Sequence, residues 1–257
     1  MNAPLLEPTA LGSPESLAGA LLARRGPIEF PEAPGRRPPG EPARIRPSAF
    51  GTTSGTLAAK LERVLAGEGL VVTTGQQPVL FLGPLYVLYK ALSAIVLAEE
   101  LESRLDVPVV PVFWIASDDH DIDEIGRTSV LDAGGEIRTL ELDREGRTPG
   151  RPVGPMRIGA SGAALTDELS QLLPPSEFRD SYLTVVRDSY RADATVSGAF
   201  AAALSGVLEG REYAWLDSAH PEAKTASAPL FRRMLEHPVP VLDALKEGDR
   251  SLADAGF

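Results

Sequence analysis

The sequence predicts an α/β chain built on a parallel sheet with flanking helices. Three observations carry that reading. Apolar runs at 70–74 and 107–115 flank an amphipathic stretch at 84–104, the order strand, helix, strand. Parallel strands joined by a helix cross over right-handed, which sets both carboxyl ends on one sheet edge. The least regular polar clusters, Thr74 to Gln77 and Ser117 to Asp121, fall at those ends, where open α/β sheets bind ligands.

Taken in order, residues 1–50 read as a proline-rich arm, extended or partly disordered, with a short helix at 16–24. Leu57, Leu61, Val64 and Leu65 recur at helical spacing and predict a helix over 53–67. The first strand, 70–74, ends in a loop, Gly75-Gln76-Gln77-Pro78, in which Gly75 allows positive φ or close backbone approach. Proline suits the first helical position, so the next helix starts at Pro84 after Gly83. Beyond the second strand the pattern predicts a short helix at 123–132, a turn at Gly134-Gly135, and a third parallel strand at 136–142. A loop at 143–162 carries Arg147, Arg151 and Arg157, which either meet an anion or stand in solvent. Helices at 161–173, 175–190 and 195–208, a strand at 212–217 and a helix at 221–236 follow. From 240 a helical pattern begins without a closing signal, so the expected organisation is arm, core over 51–240, and the start of a truncated helical region over 241–257.

Composition removes several classes of function. The chain has a formal charge of −11 and a pI near 4.8, which repels nucleic acid and acidic membrane surfaces at long range. It contains no cysteine, excluding disulfides, thiolate metal sites and a cysteine nucleophile. The first twenty residues lack a basic start with a long apolar run, and no apolar run approaches the roughly 20 residues of a membrane span. A cytoplasmic protein acting on small molecules is the expectation, without nucleic acid, membrane or metal.

Two clusters bear the chemistry. Thr74, Gly75, Gln76 and Gln77 read as a substrate-positioning loop, or as a turn with solvated glutamines. Gly83, Pro84, Tyr86 and Tyr89 open a helix whose free amides face the strand-end edge. Lys90 shares a face with Tyr86 four residues earlier, placing it to meet an anion or to lie on the surface over a core tyrosine. Around His120 stand Asp118, Asp119, Asp121, Asp123 and Glu124. Asp119, His120 and Asp121 suit acid/base work, while the acids alone also suit the start of a helix. Calcium-loop spacing is excluded by Glu124 at the position that needs glycine. Asp217 and Lys224 are weaker candidates near the last strand.

These residues also carry a resemblance. Thr74-Gly75-Gln76-Gln77, Gly83-Pro84-Leu85-Tyr86 and Tyr89-Lys90, then Val109, Pro111-Val112-Phe113-Trp114-Ile115-Ala116-Ser117 with Asp119-His120-Asp121, resemble the cysteine-adding enzymes of bacillithiol biosynthesis. The likeness is dense over 70–124 and continues more weakly through Val153-Gly154 and Leu216-Asp217 to Lys224. It implies a Rossmann-like core related to nucleotidyltransferases and class I tRNA synthetases, a carboxy-terminal coiled-coil half that is missing here, and a homodimer through that half. The implied activity joins cysteine to glucosaminyl-malate with ATP as the expected cofactor. Catalysis then falls to Lys90, Asp119, His120 and Asp121, and substrate contact to Thr74 to Gln77, Gly83, Pro84, Tyr86, Tyr89, Trp114, Ser117 and Asp118. The superfamily's HxGH signature maps to Phe81-Leu82-Gly83-Pro84, which lacks both histidines. Two alternatives stay open: a nucleotidyltransferase acting on another small acid, and a module that binds a small molecule without turnover.

Overall fold

The computed structural model describes residues 45–143 and 150–254. The expectations placed on the arm before residue 45 and on Arg147 lie outside the described residues.

Strand β1, Phe50–Thr52, precedes helix α1, Gly55–Arg63. Ser54 caps α1 by accepting a hydrogen bond from the Leu57 amide at 3.0 Å, which satisfies one of the helix's orphan donors. The helical path continues through a wider turn, Val64–Glu68, and ends as Gly67 takes φ 97°. Strand β2, Leu70–Gln76, helix α2, Tyr86–Leu105, and strand β3, Val109–Ile115, form the expected central unit. A single helical turn, α3, Ile122–Ile125, leads into β4, Arg127–Leu131, and β5, Ile137–Glu141. Helices α4, Gly159–Leu172, α5, Arg179–Ser189, and α6, Val196–Val207, then return the chain to β6, Ala214–Asp217. Helix α7 spans Pro221–Glu236 and α8 spans Pro238–Asp254.

The main sheet has the order β1-β6-β3-β2. β2 and β3 run parallel from Leu70↔Val109 to Gln76↔Ile115. β6 lies parallel on the other side of β3, and β1 closes that edge antiparallel. The third parallel strand is therefore β6. The strand expected at 136–142 instead pairs antiparallel with β4 in a separate hairpin. Connection length explains this: the turn between them is far shorter than the dozen residues a parallel crossover needs. The helix expected over 123–132 stops after one turn because Asp132 closes that hairpin, accepting from the Gly134 and Glu136 amides. The short β1 was not legible, and β2 runs two residues past its expected end.

Both sheet faces are covered in part. Phe113 and Ile115 pack with Val87, Ala91 and Ile95 of α2 and with Phe200 and Leu204 of α6. Val110, Val112, Ala214 and Leu216 pack on the other face against Leu57 and Leu61 of α1 and Ala223 of α7. Each fully buried aliphatic side chain contributes about 1.5–3 kcal/mol, so the alternating residues of β3 staple both layers to one strand. This near-continuous apolar run is what a parallel strand buried on both faces requires.

Residues 43–227 make one compact unit, and residues from 228 onward belong to a second. On α7 the buried residue is Ala223. In the second unit Leu230, Phe231, Leu235, Val239, Leu242 and Leu245 are exposed. Among the described residues no helix is long and apolar enough to cross a membrane.

Candidate functional site

Gly75 and Gln76 belong to β2, so the loop begins only at Gln77. Gly75 keeps an ordinary strand φ, and its role is close approach: a Cβ there would sit 2.6 Å from the Trp114 carbonyl oxygen. With the strand extended, the Gln76 side chain emerges on the α2 face, at the carboxyl end. There Lys90 donates from Nζ to Gln76 Oε1 at 3.0 Å, and Gln76 Nε2 lies 3.2 Å from Tyr86 Oη. The Lys90 ammonium also stands 5.6 Å from the centre of the Tyr86 ring, a cation–π distance. Gln76 Nε2 donates in addition to Gln77 Oε1 at 3.0 Å.

Gln77 carries the chain of contacts across to the β3 end. Its Nε2 donates to Asp119 Oδ2 at 2.7 Å and to Glu124 Oε2 at 3.1 Å. Asp119 Oδ1 accepts from the Asp121 amide at 2.9 Å. That backbone bond, followed by the Gln77 amide, holds the Asp119 carboxyl below the usual aspartate range. His120 is largely exposed, with Nδ1 4.0 Å from Asp119 Oδ1. Asp121 takes the helix-capping alternative, accepting from the Asp123 and Glu124 amides at 3.0 and 3.1 Å.

A second cluster lies at the junction of β3 and β6. The buried Ser117 hydroxyl donates to Asp217 Oδ1 and lies 3.2 Å from Ser218 Oγ. The Ala219 amide donates to Ser117 Oγ at 3.0 Å and to Asp217 Oδ1 at 2.8 Å. Lys224 pairs with Asp118. Ser117 thus locks two strand ends together. Gly154 makes that possible: a Cβ on it would fall 2.2 Å from the Ser117 Cβ.

Not every predicted residue joins these clusters. Thr74 lies under α2 around a small gap shared with Ala91, Ala94 and Phe113. Tyr89 is 62% exposed on a shallow groove with Leu92, Ser93 and Val96. Trp114 projects on the α1 face, 42% exposed. Pro84 precedes the helix, whose first regular residue is Tyr86, although the Val87 amide already donates to the Pro84 carbonyl at 3.0 Å. Arg157 donates to the Asp193 carbonyl. Among the described residues no cluster of metal-binding side chains assembles.

The turn before α2 carries the largest surprise. Phe81, Leu82 and Gly83 all take left-handed φ, at 52°, 66° and 53°. Non-glycine residues pay for that conformation, and burial supplies the compensation: Phe81 is 3% and Leu82 4% exposed. Tyr182 of α5 donates its hydroxyl to the Phe81 carbonyl at 3.1 Å, and Phe81 meets the Tyr190 ring edge-on at 4.8 Å. Burial pushes the Tyr182 phenol up to about 12. Tyr182 and Ser218 escaped the sequence reading, as did the partners of Glu124 and Gly154, because each acts through a residue far away in the chain.

A mainly parallel α/β sheet with a polar, lysine-containing cluster at its carboxyl edge is a Rossmann-like arrangement. The family described as bacillithiol biosynthesis BshC, N-terminal Rossmann-like domain, matches residues 47–257, and the chain belongs to that family. Similar proteins, named provisionally as cysteine ligase BshC, include one from Prosthecochloris aestuarii, 36% identical over 68% of this chain and 31% of its own length. The Chlorobium phaeobacteroides protein is 33% identical over 72% of this chain and 33% of its own. That from Salinibacter ruber is 31% identical over 77% of this chain and 36% of its own. The chain spans about a third of the length of the curated relatives it matches.

Proposed function

We propose that the chain supplies the substrate-binding edge of a ligase that joins cysteine to glucosaminyl-malate. The observation that carries this reading is the hydrogen-bonded series from Lys90 through Gln76 and Gln77 to Asp119, which bridges two strand ends in a family named for bacillithiol biosynthesis. In the reaction the glucosamine nitrogen attacks the activated carboxyl carbon of cysteine. A carbon–nitrogen bond forms, the activated oxygen leaves with its activating group, and the nitrogen gives up a proton. Lys90 balances the negative charge of the acyl substrate. Gln76 and Gln77 orient it, each with one amide able to donate and accept. Asp119, ionised through the neutral range, receives or relays the proton with His120. Asp121 remains the cap of α3 and takes no part.

ATP is the expected source of activation. Phe81 and Pro84, at the positions of the superfamily histidines, are apolar and give a phosphate no side-chain donor. The groups that suit a phosphate here are Lys90 and the amides opening α2. No step is assigned through the nucleotide.

The test is a full-length family protein carrying these residues, incubated with glucosaminyl-malate, cysteine and ATP. A cysteinyl amide product is expected, and Lys90→Ala should lower kcat/KM at least tenfold, about 1.4 kcal/mol of transition-state binding, while the fold is retained. The apolar Phe81-Leu82 turn favours a second reading, binding without turnover. Calorimetric binding of glucosaminyl-malate with no product and no ATP consumed would replace the first reading with the second.

A further inference from the structure

We infer that Glu124 is a positioning residue of the strand-end site, which locks the Gln77 amide and through it sets Gln76 and Lys90. The two residues lie 47 positions apart in the chain, yet Glu124 Oε2 accepts from Gln77 Nε2 at 3.1 Å. The role rests on the ligase reading for the reaction it serves, whereas the geometry stands without it.

An acid at this position ordinarily serves its own helix. Asp121 is the N-cap of α3, which makes Glu124 the third helical residue, and a glutamate there reaches back to the backbone amide of the cap in a capping box. That amide is already taken, since Asp121 N donates to Asp119 Oδ1 at 2.9 Å. Asp121 in turn satisfies the Asp123 and Glu124 amides. Helix α3 is therefore capped without the Glu124 side chain, which turns across to the loop after β2 instead.

Hydrogen-bond character fixes the direction of the whole series. Lys90 can only donate, so Gln76 turns its carbonyl oxygen to it, at 3.0 Å. Ionised carboxylates can only accept, so Gln77 turns its nitrogen to Asp119 and Glu124. Between these ends Gln76 Nε2 donates to Gln77 Oε1 at 3.0 Å. Reversing either amide would set oxygen against carboxylate or nitrogen against ammonium. Asp119 by itself engages one of the two Gln77 amide protons and leaves the group a pivot. Glu124 takes the second proton and removes that freedom. Two carboxylates at one nitrogen also repel each other, a cost offset only while the amide donates to both. Gln76 thereby keeps a fixed acceptor in Gln77, and Lys90 keeps a fixed acceptor in Gln76.

The chain contains three glutamines, Gln76, Gln77 and Gln171, so glutamine side-chain nitrogen-15 labelling gives three amide pairs to follow by NMR. Gln171, exposed on α4, is the internal control. Both Gln77 protons should exchange with water about tenfold more slowly than those of Gln171. In Glu124→Ala one Gln77 proton should lose that protection. The Gln76 pair should shift as well, although Gln76 is bonded to Gln77, Tyr86 and Lys90 rather than to residue 124. Glu124→Gln retains an acceptor and should restore both signals. In the full-length family protein, Glu124→Ala should lower kcat about tenfold, more than it raises KM, and Glu124→Gln should return most of the loss. A native Gln77 proton that exchanges like those of Gln171 overturns the role without any variant. So do unchanged Gln76 signals in Glu124→Ala, a Glu124→Gln chain that behaves like Glu124→Ala, or full activity of Glu124→Ala in an active parent. Absence of product from the parent enzyme overturns the ligase reading alone, and the amide signals then decide the part played by Glu124.

Discussion

Asp119 is held by two donors of different kinds, the Asp121 amide and the Gln77 side chain. Both favour the charged form, so its titration midpoint should lie below the ordinary aspartate value of about 3.9. The sign follows: the stabilisation is complete above that value and is lost as pH falls through the lower folded value. Carbon-detected NMR titration should place the midpoint there, and Gln77→Ala should move it upward while leaving part of the depression, since the backbone donor remains. An unshifted midpoint in the native chain would refute this. Gly154 offers the second test at this scale. Gly154→Ala drives a methyl into Ser117 and should cost about 1–3 kcal/mol in urea unfolding, with the loss concentrated where β3 meets β6. Gly210, by contrast, has open space for a Cβ but a φ of 81°, so any cost of its replacement comes from backbone strain alone.

At the scale of elements, the left-handed turn from Phe81 to Gly83 fixes where α2 begins and therefore where Lys90 stands relative to Gln76. Tyr182 secures that turn from α5. Tyr182→Phe keeps the ring and removes the hydroxyl, so the expected loss is about 1 kcal/mol, together with faster hydrogen exchange over 79–86. Unchanged exchange there would show that packing of Phe81 on Tyr190 suffices. Tyr182 and Tyr213 are both pushed up to about 12 by burial, and Tyr190 is pushed further still. A raised folded value means stability holds below the ordinary tyrosine value of about 10 and declines as pH rises towards the folded value. Alkaline titration followed by ultraviolet absorbance should show these phenolates appearing late and together with unfolding.

At the scale of the compact unit over residues 43–227, two apolar layers grip one central strand, and the candidate site residues collect at the edge where three parallel strands end. Val110 and Val112 on one face and Phe113 and Ile115 on the other make β3 the common wall. Shortening it should therefore unfold both layers at once: Phe113→Ala is expected to cost about 3–5 kcal/mol in a single cooperative transition. Two separate transitions within residues 43–227 would argue that the layers are independent. The hairpin of β4 and β5 joins the core through Leu140, which is 1% exposed, while Leu131 and Ile137 stay outside at 60% and 72%.

By itself the sequence determined what depends on near neighbours: the apolar period of β2 and β3, the amphipathic α2, the Lys90–Tyr86 spacing, and the placement of both polar clusters at strand ends. Those follow from side-chain period and crossover geometry, which act over a few residues or through one short connection. Tertiary structure alone decided that Gln77 reaches both Asp119 and Glu124, that Ser117 is tied to Asp217, and that β6 rather than β5 completes the parallel set. It also decided that Phe81 and Leu82 are left-handed. Partners such as Ser117 and Asp217 lie 100 residues apart, and a backbone held against its own preference declares itself only once burial and Tyr182 are seen to hold it.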